Sequence, residues 1–181
     1  MHCLTTRRRV RAIVGAAALA MALPAGSVVA AHHPARHSST PKWLVANAKS
    51  KTATLTLIAA YNNNLAGFNF DGYGYGKMVV SIPLHYKVTV IFSNKSSTPH
   101  NVLVVPYSER NKSSGLTLAF KGAGTGSATT GISKGTTKKF SFVASKTGTY
   151  ALLCGVPGHD LAGMWDTLQV TNGGSAKISF K

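Results

Sequence analysis

The sequence predicts an all-β domain, a sandwich or barrel of about nine short strands. Two observations lead to this class. After the N-terminus no stretch repeats apolar residues at the 3.6-residue period of a helix, whereas Thr, Val, Tyr, Phe, Gly and Ser recur in short runs between turn residues. The 181 residues, 44% of them apolar, are enough for one packed domain and a short N-terminal segment.

The strands are predicted from short alternating or wholly apolar runs. These runs are bounded by Gly, Pro, Asn and Ser, as strands joined by turns usually are. They lie at 53–60, 66–70, 77–82, 86–93, 100–105, 138–143, 148–153, 164–171 and 175–180. The stretch 107–135 is rich in Gly, Ser, Thr and Lys and is predicted to be a loop, within which residues 122–127 are predicted to form a mobile surface segment; no function is assigned to it.

The N-terminus has a composition of its own. Four arginines precede an uncharged run at 12–31, and 1–31 is therefore predicted to be a signal peptide or an N-terminal membrane anchor. Small residues at the end of the run favour cleavage, while about 20 uncharged residues are also enough to cross a bilayer. A polar, Pro-containing linker follows at 32–42, and the folded domain is predicted at 43–181. The protein is expected in the periplasm or on the outer face of the cytoplasmic membrane.

The charge is strongly basic because acidic residues are few: 20 Lys and Arg stand against four Asp and Glu. The lysines are scattered singly, and Arg110 is the one arginine of the predicted domain. We therefore expect a solvated basic surface that attracts acidic partners, and no binding of nucleic acid. Acid unfolds proteins largely by protonating carboxylates that are stabilised in the folded state. Because this chain has only four carboxylates, we expect its fold to tolerate low pH.

The two cysteines are Cys3, within the export segment, and Cys154. Once that segment is removed no intramolecular disulfide can form. A lone thiol in an oxidising compartment is a liability unless the sulfur is inert in the core or is occupied. Cys154 is therefore a candidate metal ligand.

The most informative motif is formed by Cys154, His159 and Met164, which follow one another at intervals of five. Cys154 ends an apolar run, and Gly and Pro at 155–158 predict a tight turn that holds His159. Met164 begins the next strand. Such a turn can bring the three side chains to one point.

A fourth ligand is expected from elsewhere in the chain. His100 is the candidate because it directly precedes an apolar strand, and His85 is held in reserve. Thiolate, thioether and two imidazoles select copper, and two His and one Cys in a plane with an axial Met are the blue-copper set. The predicted cofactor is thus one type 1 copper ion held by His100, Cys154, His159 and Met164. Asn101 is expected to tie the two ligand loops together.

Several short blocks resemble the cupredoxins and, most closely, the sulfocyanin group. They are Phe68-Asn69-Phe70-Asp71-Gly72, Gly76-Lys77-Met78, Pro99-His100-Asn101, 154–159 and Gly163-Met164-Trp165, with Asp71 where the family pattern has Asn. The resemblance implies an eight- or nine-stranded Greek-key sandwich and electron transfer in a respiratory chain. It also implies frequent N-terminal membrane anchoring. Expected partners are redox proteins, a cytochrome or a terminal oxidase complex.

Three other functions remain open at this level. A copper oxidase would need further histidine clusters, and the sequence has no His-x-His pair, so an enzyme is not expected. A copper carrier or storage protein without a redox role could use the same ligands. A metal-free interaction module would use none of them. The protein is expected to be a monomer.

Overall fold

The structure, a computed structural model, describes residues 42–181 and contains two β-sheets. The described residues form nine strands and two 3-10 turns, the latter at Asn64–Gly67 and Tyr107–Glu109. The strands are β1 (Leu44–Asn47), β2 (Thr52–Ala59), β3 (Met78–Pro83), β4 (Lys87–Asn94), β5 (Leu103–Pro106), β6 (Thr137–Val143), β7 (Gly148–Leu153), β8 (Trp165–Thr171) and β9 (Lys177–Phe180). The all-β prediction is confirmed.

The two sheets have the orders β1-β2-β4-β6 and β5-β7-β8-β3-β9. β2 pairs with β4, and β3 with β8, in parallel; the other pairs are antiparallel. Burial alternates along β2 and β4, as expected for strands with one face on the core and one in solvent. Their inward residues meet β3, β7 and β8 across the sandwich. This is the predicted Greek-key sandwich.

The outer face of the five-stranded sheet carries a second, smaller apolar cluster. Its buried members lie on β5, β7 and β8, and Tyr107, Leu116 and Ala128 pack against them. Ala123 accepts a hydrogen bond from Val104, so the chain after β5 folds back along that strand. The segment 107–135 is therefore packed against the sheet, and the prediction of a mobile surface segment at 122–127 is wrong for Ala123, which is fully buried.

The strand predicted at 66–70 is also wrong. Leu65 and Ala66 have φ of 52° and 51°, in the left-handed region, so the chain turns where the apolar pattern predicted extension. The side chain of Asn69 holds this turn by donating to the carbonyls of Asn62 and Asn64, at 2.9 and 2.6 Å. Strand β1 was missed, since its four residues are mostly exposed and show no alternation.

The predictions for 1–31 and for most of the linker at 32–42 lie outside the described residues. Within 42–181, no helix is long and apolar enough to span a bilayer.

Candidate metal centre

His100 lies in the connection between β4 and β5, at one end of the sandwich. Its backbone forms an isolated bridge with Ile132: the His100 N–H donates to the Ile132 carbonyl at 3.4 Å, and the Ile132 N–H donates back at 2.7 Å. The side chain is 1% exposed. The long segment after β5 therefore returns to fix the position of this imidazole.

The ligand loop, residues 154–164, joins β7 to β8 at the same end. The Cys154 N–H donates to the Met164 carbonyl at 3.0 Å, so the two ends of the loop are paired. The Met164 N–H in turn donates to the carbonyl of His159 at 2.9 Å. Gly158 has a φ of 84°, which lets the turn close without strain. The backbone thus brings Cys154, His159 and Met164 together, as predicted.

Three side-chain atoms converge between the two connections. The Nδ1 atoms of His100 and His159 are 3.2 Å apart, and the Sγ of Cys154 is 3.8 Å from the first and 3.3 Å from the second. The circle through these three atoms has a radius of about 2 Å, which is the length of a metal–nitrogen bond in proteins. The donors surround a point where a metal ion fits.

Burial makes this site neutral when it is free of metal. It lowers the pKa of His100 to about 4, with a further lowering from His159, and it lowers the pKa of His159 as well. Burial raises the pKa of the Cys154 thiol to about 11. Both imidazoles can therefore offer lone pairs even in mildly acidic solution, while binding through sulfur must displace a thiol proton.

Asn101 links the parts of the site, as the sequence suggested. Its backbone N–H points at the Cys154 Sγ at 3.5 Å, and its Oδ1 accepts the Gly155 N–H at 2.6 Å. Its Nδ2 lies 3.1 to 3.3 Å from the carbonyls of Ser127, Ala128 and Thr130. One amide therefore fastens both ligand loops to the segment after β5.

Phe68 completes the surroundings of the site, a role that the sequence reasoning missed. Its ring meets the imidazoles of His100 and His159 edge to face, at 6.1 and 4.9 Å between centroids. The only signal was its place in the Phe68-Asn69-Phe70 block. An aromatic ring here excludes water and restricts both imidazoles.

The remaining candidates lie in clearly different places. Met164 is fully buried and is held at the site by the backbone bonds described above. His85 is exposed in the turn between β3 and β4, bonded to Ala144, at the far end of the sandwich from His100. The prediction of His85 as an alternative ligand is therefore wrong.

Comparison with known proteins agrees with the site and the fold. A description of the sulfocyanin (SoxE) domain matches residues 39–179. A sulfocyanin of Sulfolobus acidocaldarius is 33% identical over 133 residues, which cover 70% of this chain and 67% of that protein. The chain belongs to the sulfocyanin family.

A solved structure shares the architecture. A blue copper oxidase from Nitrosomonas europaea matches with a TM-score of 0.50 and 23% identity, over 65% of this chain and 38% of that one. A reduced auracyanin from Roseiflexus castenholzii matches with a TM-score of 0.46 and 24% identity, over 65% and 96% of the two chains. At 23% identity the likeness to the blue copper oxidase concerns the fold alone.

Membership of the sulfocyanin family confirms the resemblance that the sequence carried. Together with the soft donor set at this end of the sandwich, it also confirms the predicted cofactor, one type 1 copper ion. The assignment of individual ligands remains a prediction.

Proposed function

We propose that this protein is a one-electron carrier whose type 1 copper is held by His100, Cys154, His159 and Met164. The single observation that supports this most is the triangle of two imidazole nitrogens and one sulfur at 3.2, 3.3 and 3.8 Å. Its size suits a metal, and its donors suit copper rather than a hard cation.

When bound, copper supplies the redox change, cycling between Cu(II) and Cu(I). The protein supplies a fixed arrangement of donors. His100 is held by the Ile132 bridge, and the loop that carries Cys154 is held by Asn101. These bonds oppose rearrangement of either loop when the charge of the site changes, which would keep the barrier to electron transfer low.

His159 is proposed as the route for electrons to and from the surface. It is 9% exposed, whereas His100 and Cys154 are 1% and 0% exposed. Leu161, two residues further along the ligand loop, is 58% exposed and offers a partner an apolar contact beside the imidazole. This arrangement suits brief docking of a redox protein.

The cellular role is proposed from the sequence. Residues 1–31 act as a signal peptide or a membrane anchor. Residues 32–42 form a flexible linker to the copper domain at 43–181. On the outer face of the membrane a monomer of this kind would serve a respiratory chain, with a cytochrome or terminal oxidase complex as its partner. A carrier fits better than an enzyme, since the sequence has no His-x-His pair for further copper centres.

Copper titration of the full-length protein, followed by visible absorption, tests this function. We expect one equivalent to produce an intense charge-transfer band at about 600 nm that reductant bleaches reversibly, because thiolate bound to Cu(II) absorbs there. Cys154→Ser should lose the band, and Cys3→Ser should keep it. A parent that binds copper without colour would instead be a copper carrier, and a parent that binds none would be an interaction module.

A further inference from the structure

A segment outside the metal centre is bonded directly to the ligand loop. We name residues 107–117, which follow β5, the strap. The Ser113 N–H donates to Oδ2 of Asp160 at 2.7 Å, and the Gly158 N–H donates to the Ser113 hydroxyl at 2.9 Å. Asp160 is 1% exposed and directly follows His159. Ser113 therefore contacts the loop on both sides of that histidine.

The N-terminal end of the strap is held by stacked side chains. The Arg110 guanidinium lies over the rings of Tyr107 and Trp165, at 4.4 and 5.6 Å from their centroids. Tyr107 also meets Trp165 edge to face at 5.9 Å. Because Trp165 directly follows Met164, the strap contacts the ligand loop at two places. One is residues 158–160, and the other is the C-terminal end of the loop.

The backbone explains why the loop needs this support. Gly158 has a φ of 84°, and a Cβ built there would meet nothing within 4 Å. No packing restrains that point of the turn, so its position depends on hydrogen bonds. Ser113 supplies one of them, and it does so from a left-handed backbone with a φ of 62°.

We propose that Ser113 and Asp160 are positioning residues, which hold the ligand loop against the strap and thereby orient the imidazole of His159. The inference rests on the proposed function in one respect, that His159 binds the copper. The strap is at least 42 residues from His159 in sequence, so it acts as a separate brace for the more exposed of the two histidines. Without the brace, the donors would lose their fixed geometry.

Asp160 also acts through its charge, which has to be separated from its hydrogen bond. For His159, burial lowers the pKa and the Asp160 carboxylate raises it by a smaller amount. For Cys154, burial raises the pKa and the Asp160 carboxylate raises it slightly further. Asp160→Asn keeps an acceptor oxygen for the Ser113 N–H and removes the charge. Asp160→Ala removes both, and Ser113→Ala removes only the bond to Gly158.

The first test uses the full-length, metal-free protein and NMR. We expect Ser113→Ala and Asp160→Ala to lower the exchange protection of the Gly158 amide at least about tenfold and to increase the motion of the His159 ring. Asp160→Asn should keep the ring ordered as in the parent. Ser114→Ala is the matched control, because Ser114 is the exposed serine next in the strap and its backbone N–H, which the substitution keeps, donates to the Lys112 carbonyl.

The second test follows the visible band after copper loading. Ser113→Ala and Asp160→Ala should shift or split the band, and Asp160→Asn should restore its shape. Unchanged ring motion and an unchanged band in Ser113→Ala, relative to Ser114→Ala, would overturn the proposal. If Asp160→Ala does not fold, Ser113→Ala still decides the matter. If the parent develops no band, the proposed function fails, whereas the ring motion in metal-free protein still tests the brace.

Discussion

The two ends of the sandwich are built on different principles. The site end is the end that carries the metal centre. There, the long connections and the end of β4 carry most of the buried polar side chains: Asn69, Asn94, His100, Asn101, His159 and Asp160. At the opposite end, short turns join the strands, and exposed lysines lie in these turns or directly beside them: Lys49, Lys51, Lys87 and Lys146. The same strands, such as β4 and β7, run from one end to the other.

The difference shows how an apolar sandwich supports a polar site. Buried polar groups are costly unless they are hydrogen-bonded, and at the site end they bond to backbone groups of the loops. Asn94, for example, donates to the carbonyls of Thr98 and Ile132, both at 2.8 Å. The core stabilises the strands, and these side chains order the loops that hold the donors. The opposite end has only to reverse the chain.

The largest difference between the ends should appear in copper affinity. We expect His100→Ala to weaken copper binding by more than about 100-fold, since even partners that only support a metal ligand contribute 10- to 100-fold. His85→Ala, the same truncation at the opposite end, should leave the affinity within about twofold of the parent. Competition titration with a copper chelator measures both. Equal losses of copper affinity in the two variants would contradict the placement of the metal centre at the end that carries His100.

The site end should also respond to pH through Asp71. Its Oδ1 accepts the Ile58 N–H at 3.0 Å, while its Oδ2 has no partner within 42–181. Burial raises the pKa of Asp71 to about 7, against the opposing effects of the Ile58 N–H and Lys95, and Asp71 itself raises the pKa of Asp166. The folded state therefore prefers the neutral carboxyl.

The sign of the effect follows from that preference. The stabilisation is complete below the unfolded-state pKa of about 4 and is lost as the pH rises through about 7. Between pH 4 and pH 8 the unfolding free energy of the metal-free parent should fall by about 2–4 kcal/mol relative to Asp71→Asn, which cannot titrate. Urea unfolding across this range measures the difference. The lowered pKa values of the histidines act in the opposite direction, but equally in both proteins. A difference in unfolding free energy between the parent and Asp71→Asn that stays constant across this pH range would contradict the expectation.

A smaller contrast is expected from two asparagines. Asn101→Ala at the site end leaves the Gly155 N–H and three carbonyls without their partner, and should lower the free energy of unfolding by about 2–3 kcal/mol. Asn47→Ala at the opposite end removes only the exposed bond from the Ser50 N–H, and should cost less than about 1 kcal/mol. Urea unfolding of both metal-free variants measures the two costs. Similar costs would show that the Asn101 network adds little stability.

The parts of the molecule that could be predicted from sequence are those with a local signal. β2 and β4 alternate with period two, and Cys154, His159 and Met164 recur at intervals of five around a turn. His100 could be selected because it directly precedes an apolar strand. In each case the neighbours along the chain already restrict the conformation.

The parts that could not be predicted depend on contacts between distant residues. Phe68 and Phe70 alternate like a strand, but Asn69 fastens the chain into a turn through its side chain. In the sequence, Ser113 is one polar residue among many, and its hydrogen-bond partner Asp160 lies 47 positions away. The polar composition of 107–135 indicated a loop with many groups able to form hydrogen bonds, but neither there nor at 66–70 did the sequence show which distant groups those side chains would bond.

X-ray absorption at the copper edge of the loaded full-length protein tests the central claim most directly. The claim is that His100, Cys154 and His159 share one metal ion at the site end. We expect one sulfur and two imidazole nitrogens at about 2 Å from the copper, and the sulfur should disappear in Cys154→Ser. A spectrum with only nitrogen and oxygen neighbours in the parent would contradict the account.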